Sequence, residues 1–489
     1  MTELTRQPSV LSRRGLVAMT SSSFAATAGP GDATTETGRR LAFFPDYAAL
    51  RSYDGPPLHA AILLGAGASG DGGAGLFIWD RTDRWQDNGV TCLADRVGRR
   101  YQRPHSGPID VRWAGARCDG YSDDSAAVLT AARAGPIAFT TGTCFIGRSI
   151  TVAAPAMADG GAIRLGPGVT LTFDRGFMAP PHQVFSDATE ARSRIVFNST
   201  AQSHGHPEWW GARGGDPGVD CAPALAMCVE ACAVTRLQAC DYWIGSTWKI
   251  QLNGRVVEGV NGDADGAEPI TRILTNSPSI DMVLVGPDEQ PTPGSMRGFV
   301  GFIRLKHLTV ARATAPDAPP TGVTPGGPCG VRLQWVNISS LEDIWCKEST
   351  NGFYIRGTVY CKLCGCHAFR STASRRAGND YFAGFLQDNS PKAGLNSGNA
   401  SLYYASCGVS GGFQGMSTSY GILTIGGFTD TFIDKMETSG IQQGLVFNGA
   451  AQGVEYPSEN LMVTNCVIDT PVVGLRVTAV RICPDCAGS

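Results

Sequence analysis

From about residue 298 onward, apolar and polar residues alternate in short runs, and a glycine opens each one. The runs are "GVRLQ" at Gly330, "GFYIR" at Gly352, "GILTI" at Gly421, "GLVFN" at Gly444 and "GLRVT" at Gly474. Alternation with a period of two marks a half-buried β-strand. Successive glycines stand 22, 69, 23 and 30 residues apart, and 69 is three times 23, so the pattern predicts a unit of 22–23 residues with insertions. A second strand-like piece precedes three of these glycines, in "SLEDIWCKESTN", "TFIDKMETSGIQQ" and "NLMVTNCVIDTPVV". So short a unit cannot bury a core alone, and neighbouring units must stack. Stacking gives a parallel β-solenoid. A β-sandwich also repeats strands, but it does not require a fixed unit length.

Upstream, a different pattern occurs twice. "DVRWAGARCDGYSDDSAAVLTAARA" (Asp110–Ala134) sets a turn rich in Gly and Asp before a helix with Val128, Ala131 and Ala132 on one face. Adding 96 superposes Trp113, Gly115, Ala116, Arg117, Asp124, Ala126 and Leu129 on Trp209, Gly211, Ala212, Arg213, Asp220, Ala222 and Leu225. Asp123 and Asp220 suit a helix N-cap, and Asp124 suits a first turn. This alignment keeps Asp124 as Asp220 and loses Asp123, which assigns Asp119, Asp123 and Asp124 to building the solenoid entrance rather than to catalysis. Ahead of the motif, Leu76–Trp79 and Val90–Leu93 read as strands with Asn88–Gly89 as a turn between them. The predicted organisation is a leader and linker at 1–40, a small β-rich segment at 41–107, and a solenoid at 108–489 with a second capping motif at 207–232.

Composition narrows the function classes. Gly reaches 62 residues and charged residues only 17%, which suits tight turns and stacked strands. A net charge of −3 offers no footprint for nucleic acid or an anionic membrane. No apolar run is long enough to span a bilayer, so membrane insertion is not expected. Arg13–Arg14, a mildly apolar stretch and Ala26-Thr27-Ala28 resemble a twin-arginine export signal, which predicts a secreted or periplasmic protein. Among 16 cysteines, Cys361, Cys364 and Cys366 and the pair Cys483 and Cys486 lie too far apart for a zinc ribbon. They read as small apolar residues in stacked turns, with one or two disulfides if the protein is exported.

The combination of "GARCDGYSDDSAAVLTAA" with later 22-residue rungs resembles the pectate-lyase-like superfamily. There a Gly-Ala, Asp-Gly, Asp-Asp-Ser/Thr-Ala-Ala motif opens the coil and its α-helix covers the end of the core. The segment "DGGAGLFIWDRTDRWQDNGVTCL" is similar to one found ahead of this motif in bacterial exoproteins and phage tailspikes. The resemblance implies an all-β fold, a single-stranded right-handed parallel β-helix with capping α-helices. It also implies a polysaccharide partner, as hydrolase first or lyase second, or alternatively a tailspike-like glycan-binding protein of a virion. Homotrimers follow only by analogy with such relatives. The polygalacturonase signatures are not found in the sequence.

A glycoside hydrolase needs two carboxylates across the scissile bond. A uronate lyase needs a base and a cation such as Ca²⁺, Lys or Arg. No cofactor is required otherwise. Aligning Leu341 with Phe432 sets Asp343 level with Asp434, with Glu348 and Glu437 in the same turn region, and these four are the candidate catalytic residues. Glu342, Asp380 and Asp430 lie close in pattern. Trp335, Trp345, Tyr354 and Tyr360 are candidate sugar platforms, and Lys347, Arg356 and Lys435 candidate cations, Lys347 first among them as a substrate-binding group. The spacing of His204 and His206 invites a metal reading, but their place beside the second motif favours loop histidines. No nucleophilic triad, phosphate loop or dinucleotide fingerprint stands out.

Overall fold

The computed structural model describes residues 32–34, 40–82, 85–186, 193–198, 204–262, 267–291, 297–314, 316, 327–371, 381–389, 399–411, 418–448, 450–451, 454–455, 458–469 and 472–478. The twin-arginine stretch, Cys483, Cys486 and Asp380 lie outside these residues. Two compact units comprise residues 1–105 and 106–489.

In the first unit, six strands form one mixed sheet. Alternation in "RLAFF" and "AAIL" turns Ala42, Phe44, Ala61 and Leu63 to one side, where they pack with Phe77, Tyr101, and Tyr47 and Leu50 of helix α1 (Tyr47–Arg51). Asn88 forms the turn its sequence suggests, its Oδ1 accepting from the amides of Val90, Thr91 and Cys92. The strands on either side do not pair with each other. Gly75–Trp79 and Cys92–Ala94 both bond to Arg100–Gln102.

The second unit is a parallel β-helix. Three narrow parallel sheets occupy 109–197, and beyond Val234 a 16-stranded and an eight-stranded sheet continue to Thr478. Parallel crossovers within a sheet are right-handed. The duplicated motif opens this coil and then interrupts it. Each copy is a short 3-10 turn, Val111–Ala114 or Pro207–Trp210, ending on a left-handed glycine, followed by a helix, α2 (Ser125–Ala134) or α3 (Ala222–Ala231).

The two turns are 96 residues apart and the two helices 97. That extra residue makes Asp220 the counterpart of Asp123, not of Asp124. Asp123 accepts from the first amide of its helix, Ser125 at 3.0 Å, and from Gly147 at 3.0 Å. Asp220 accepts from Ala222 at 3.0 Å and Gly245 at 2.9 Å. Cys221 takes the place of Asp124, which is buried and accepts from the amides of Arg117, Cys118 and Phe145 at 2.7, 3.1 and 3.2 Å. The amides of Ser122 and Tyr121 hold the Asp119 carboxyl down at about 2. All three carboxylates are occupied by backbone, as their assignment to the entrance requires. A disulfide, Cys118–Cys144, ties the same turn to the next rung.

In the eight-stranded sheet the strand-opening glycines form one column, Gly330, Gly352, Gly384, Gly421, Gly444 and Gly474. Gly384 divides the interval of 69 into 32 and 37 residues, so two long rungs stand where a multiple of 23 predicts three. The facing sheet leaves no room for a side chain at three of them. A Cβ would lie 2.6 Å from Ala368 Cβ at Gly352, 2.4 Å from Val409 Cγ2 at Gly384, and 2.4 Å from Ile468 Cγ2 at Gly444.

Six rungs, at 300–312, 336–347, 359–370, 400–411, 428–439 and 458–469, each bend twice at left-handed residues five apart. The pairs are Phe302 and His307, Ile338 and Asp343, Tyr360 and Gly365, Ser401 and Ser406, Asp430 and Lys435, and Asn460 and Asn465, with φ between 46° and 62°. Left-handed backbone favours Gly, Asn and Asp. This alone gives Asp343 and Asp430 a structural reason. Cys346, Cys361, Cys366 and Cys407 are buried inside the coil, Cys366 and Cys407 with their thiols on the carbonyls of Leu341 and Leu363. Cys364 alternates to the outside, so the knuckle does not converge on a metal.

Candidate functional site

Register decides which acids can meet. Leu341 aligns through Leu363 and Tyr404 with Ile433, one position past Phe432. Asp434 is therefore level with Glu342, and Asp343 with Lys435. Three rung steps separate Asp343 from Asp434, about 14 Å of backbone at roughly 4.8 Å per step. A retaining carboxylate pair needs about 5 Å between carboxyl groups, so these two do not form one. Glu437 shares its rung with Asp434, the two flanking the bend at Lys435, and belongs to the outward column Trp345, His367, Gly408, Glu437.

Several candidates lie elsewhere. Glu348 sits at a further left-handed bend and accepts from the Ser371 amide at 3.2 Å, a structural role. Trp335 is only 5% exposed, packed against Phe299 and the Arg356 guanidinium. Tyr354 is equally buried on the eight-stranded sheet, its hydroxyl donating to Asp388 at 2.5 Å and Arg332 lying 4.3 Å over its ring. Neither offers a face to a sugar. Arg356 also pairs with Asp388, and Asp430 accepts from the Asn460 amide at 2.6 Å. His206 sits 3.2 Å from the Arg236 carbonyl in the second motif, its ring edge-on to His204.

The remaining candidates frame a saddle across the solenoid corner. The rungs at 359–370 and 400–411 present small residues outward, Cys364, Gly365, Ala405, Ser406 and Gly408. The rung below presents Glu342, Asp343 and Trp345. The rung above presents Asp434, Lys435 and Glu437. Small residues between large ones make a depression with carboxylates on both walls, two rungs wide at Cys364 and Ala405 and one rung wide at Gly408, where His367 occupies the rung below.

Close approaches at Gly365 and Gly408 bring Asp343 and His367 over this floor, while other contacts tie the wall carboxylates to the rungs outside it. Asp343 Oδ2 lies 3.1 Å from His307 Nδ1, and a Cβ at Gly365 would stand 2.3 Å from Asp343 Oδ1. His367 packs on Trp345 with ring centroids 4.6 Å apart and the planes tilted by 38°, and its ring overhangs Gly408, where a Cβ would meet Nδ1 at 2.4 Å. Burial pushes the His367 imidazole below its usual pKa, while Asp343 and Glu437 pull it up. The Asn465 amide and Thr464 hydroxyl bond Asp434 at 2.8 and 2.9 Å and hold its carboxyl below the usual range. Lys306 pairs with Glu342 at 2.8 Å, and Lys347 pairs with Glu268 while standing 5.7 Å from the Trp345 ring. On the other flank Tyr360 is 65% and Tyr403 48% exposed, and Phe432 stacks on Tyr403 at 4.6 Å.

The family model of the phage tail protein small four-stranded beta-sheet domain matches residues 43–106. No curated protein matches the chain. Among solved structures, the chain is similar to tailspike protein 2 of the Escherichia coli O157:H7 bacteriophage CAB120, with 11% identity, a TM-score of 0.36, and coverage of 80% of this chain and 51% of that one. It is similar also to WceF of Pantoea stewartii, a glycan biofilm modifying enzyme with a tailspike-like parallel beta-helix fold, at 10% identity and TM-score 0.29, covering 78% and 50%. PfbA, a surface adhesin of Streptococcus pneumoniae, matches at 10% identity and TM-score 0.28 over 77% and 93%. The chain thus spans about half the length of the first two.

Among the described residues, the group of three ligand atoms within 4.8 Å of one another is Cys118, Asp124 and Cys144, and both sulfurs are in the disulfide. The saddle acids do not converge on one point as a Ca²⁺ site would require. A cleft of about 530 Å³ elsewhere in the coil is lined by Pro136, Pro155, Met157, Phe177 and Met178 and holds no acid pair. No helix among the described residues is long and apolar enough to cross a membrane. His307, His367, Tyr403, Phe432 and the glycine floor carry no signal in the sequence taken alone, because only the register brings them together.

Proposed function

We propose that this chain is a tail-associated β-helix protein that binds a polysaccharide across the saddle and hydrolyses it. The saddle itself carries this reading: a floor of small residues between carboxylate walls, rimmed by exposed Tyr360 and Tyr403, with half-buried Phe432 stacked on Tyr403. Aromatic faces suit the apolar faces of sugar rings. The phage tail domain model over residues 43–106 supports a virion setting.

Glycoside hydrolysis needs a proton for the leaving oxygen and an anion near the developing oxocarbenium charge. Asp434, kept ionised by Asn465 and Thr464, suits the second role. Glu437, exposed on the same rung around the bend, then donates the proton. Asp343, with Oδ2 3.1 Å from His307 Nδ1 on the next rung outward, stands on the opposite wall. The 3.1 Å contact between His307 and Asp343 favours a second reading, proton abstraction from a uronate by an oriented imidazole.

The test is incubation of the pure protein with a polysaccharide panel, following reducing ends together with the ultraviolet absorbance of unsaturated sugars. Reducing ends alone are expected, and they are lost in Asp434→Asn and Glu437→Gln with the thermal transition unchanged. Both signals together indicate a lyase. Binding without either signal overturns hydrolysis and leaves a glycan-binding protein.

A further inference from the structure

We propose that His367 is the general base of the saddle, taking a proton from the attacking water across Gly408 from Glu437. This role rests on the hydrolytic reading above and completes it: Asp434 and Glu437 share one rung, and His367 stands across Gly408 from Glu437 in the same outward column.

Placement comes first. His367 lies two rung steps from Glu437, about 10 Å of backbone at roughly 4.8 Å per step. An inverting hydrolase separates its proton donor from its base by roughly 6.5–9.5 Å so that a water fits between them. Gly408, on the intervening rung, leaves that space open, and the imidazole leans into it. An alanine there would collide with Nδ1, so the glycine serves the ring above it. Trp345 packs against the ring from the rung below, with centroids 4.6 Å apart and the planes tilted by 38°.

Electrostatics fit the same role. The charged groups acting on the imidazole are Asp343 on one side and Glu437 on the other. Lys347 stands behind the Trp345 indole and is paired with Glu268. Burial favours the neutral ring, which is the form a base needs, and Asp343 stabilises the imidazolium that forms in the reaction. In the step itself, water oxygen bonds to the anomeric carbon and its proton passes to His367. The glycosidic C–O bond breaks, and the leaving oxygen takes the proton of Glu437. Transfer of the proton from imidazolium to the Glu437 carboxylate, directly or through solvent, restores both groups.

The experiment compares wild type, His367→Gln and Gly408→Ala on the panel polysaccharide that the wild type cleaves, with kcat and KM measured across pH. His367→Gln is expected to lower kcat by about 10²- to 10⁴-fold, the usual contribution of one proton-transfer group, with KM nearly unchanged. The acidic limb of the profile should vanish with it. Gly408→Ala is expected to lower kcat without removing that limb. In His367→Ala, added imidazole or azide should restore part of the rate. Histidine-selective isotope labelling supplies a readout that does not need turnover: the His367 resonances should titrate below the usual histidine range and shift when the oligosaccharide product binds. Cleavage by His367→Gln with the wild-type profile overturns the role of His367 and leaves hydrolysis standing. Wild type that cleaves nothing overturns both together.

Discussion

Replacing Gly384 by alanine tests the packing that closes the coil. The new Cβ would lie 2.4 and 2.6 Å from the two Val409 methyl carbons and 2.9 Å from the Gly421 carbonyl oxygen. The valine has one stiff torsion and the carbonyl none, so neither can yield without moving a strand. Overpacking of this kind costs about 1–3 kcal/mol. Alanine also narrows the unfolded ensemble, a gain of about 0.4–1 kcal/mol where the backbone tolerates it, and Gly384 is not in left-handed backbone. The net expectation is a loss of about 1–2 kcal/mol. Gly474 supplies the control. It belongs to the same column, but a Cβ there meets Ile468 Cγ2 at 3.8 Å, an ordinary contact. Gly474→Ala should therefore be neutral or stabilising by a few tenths of a kcal/mol. Guanidinium midpoints, followed by circular dichroism and approached from both the folded and the unfolded side, compare the two. Equal midpoints for Gly384→Ala and wild type would refute the claim that facing side chains, rather than strand geometry, select glycine in this column.

Three further outcomes follow from buried and exposed polar groups. Glu208 is buried with Tyr242 donating to Oε1 at 2.5 Å, and burial raises its carboxyl pKa above 4.5. The folded state then holds this proton more tightly than the unfolded chain, so stability is full below about pH 4.5 and falls as pH rises through the raised value. Glu208→Gln should remove that fall in pH-dependent denaturation and leave the rest of the curve unchanged. Tyr403→Ala should weaken oligosaccharide binding in calorimetry while the thermal transition stays in place. Tyr354→Phe should do the reverse, losing about 1–3 kcal/mol because Asp388 is left buried without its hydroxyl partner.

The fold was legible because its determinants are local: a period of two along each strand and a unit too short to bury its own core. The strand-opening glycines were legible too, although their cause, a facing side chain on another sheet, was not. The number of rungs between Gly352 and Gly421 was misjudged because insertions of 32- and 37-residue rungs carry no period of their own. The site failed by one residue, and for a definable reason. The alignment matched the buried Leu341 with Phe432, an outward aromatic that stacks on Tyr403, when the buried residue at that level is Ile433. The slip matched Asp343 with Asp434 and hid its real level with Lys435. The left-handed bends explain why acids crowd this corner, since Asp tolerates left-handed backbone better than most residues. An excess of carboxylates was thus partly a conformational signal that resembled a chemical one. What distinguishes the saddle is the row of residues that project little, Gly365, Ala405, Ser406 and Gly408. A search for reactive groups passes over such positions, yet they decide where Asp343 and His367 can lean and where a sugar could lie.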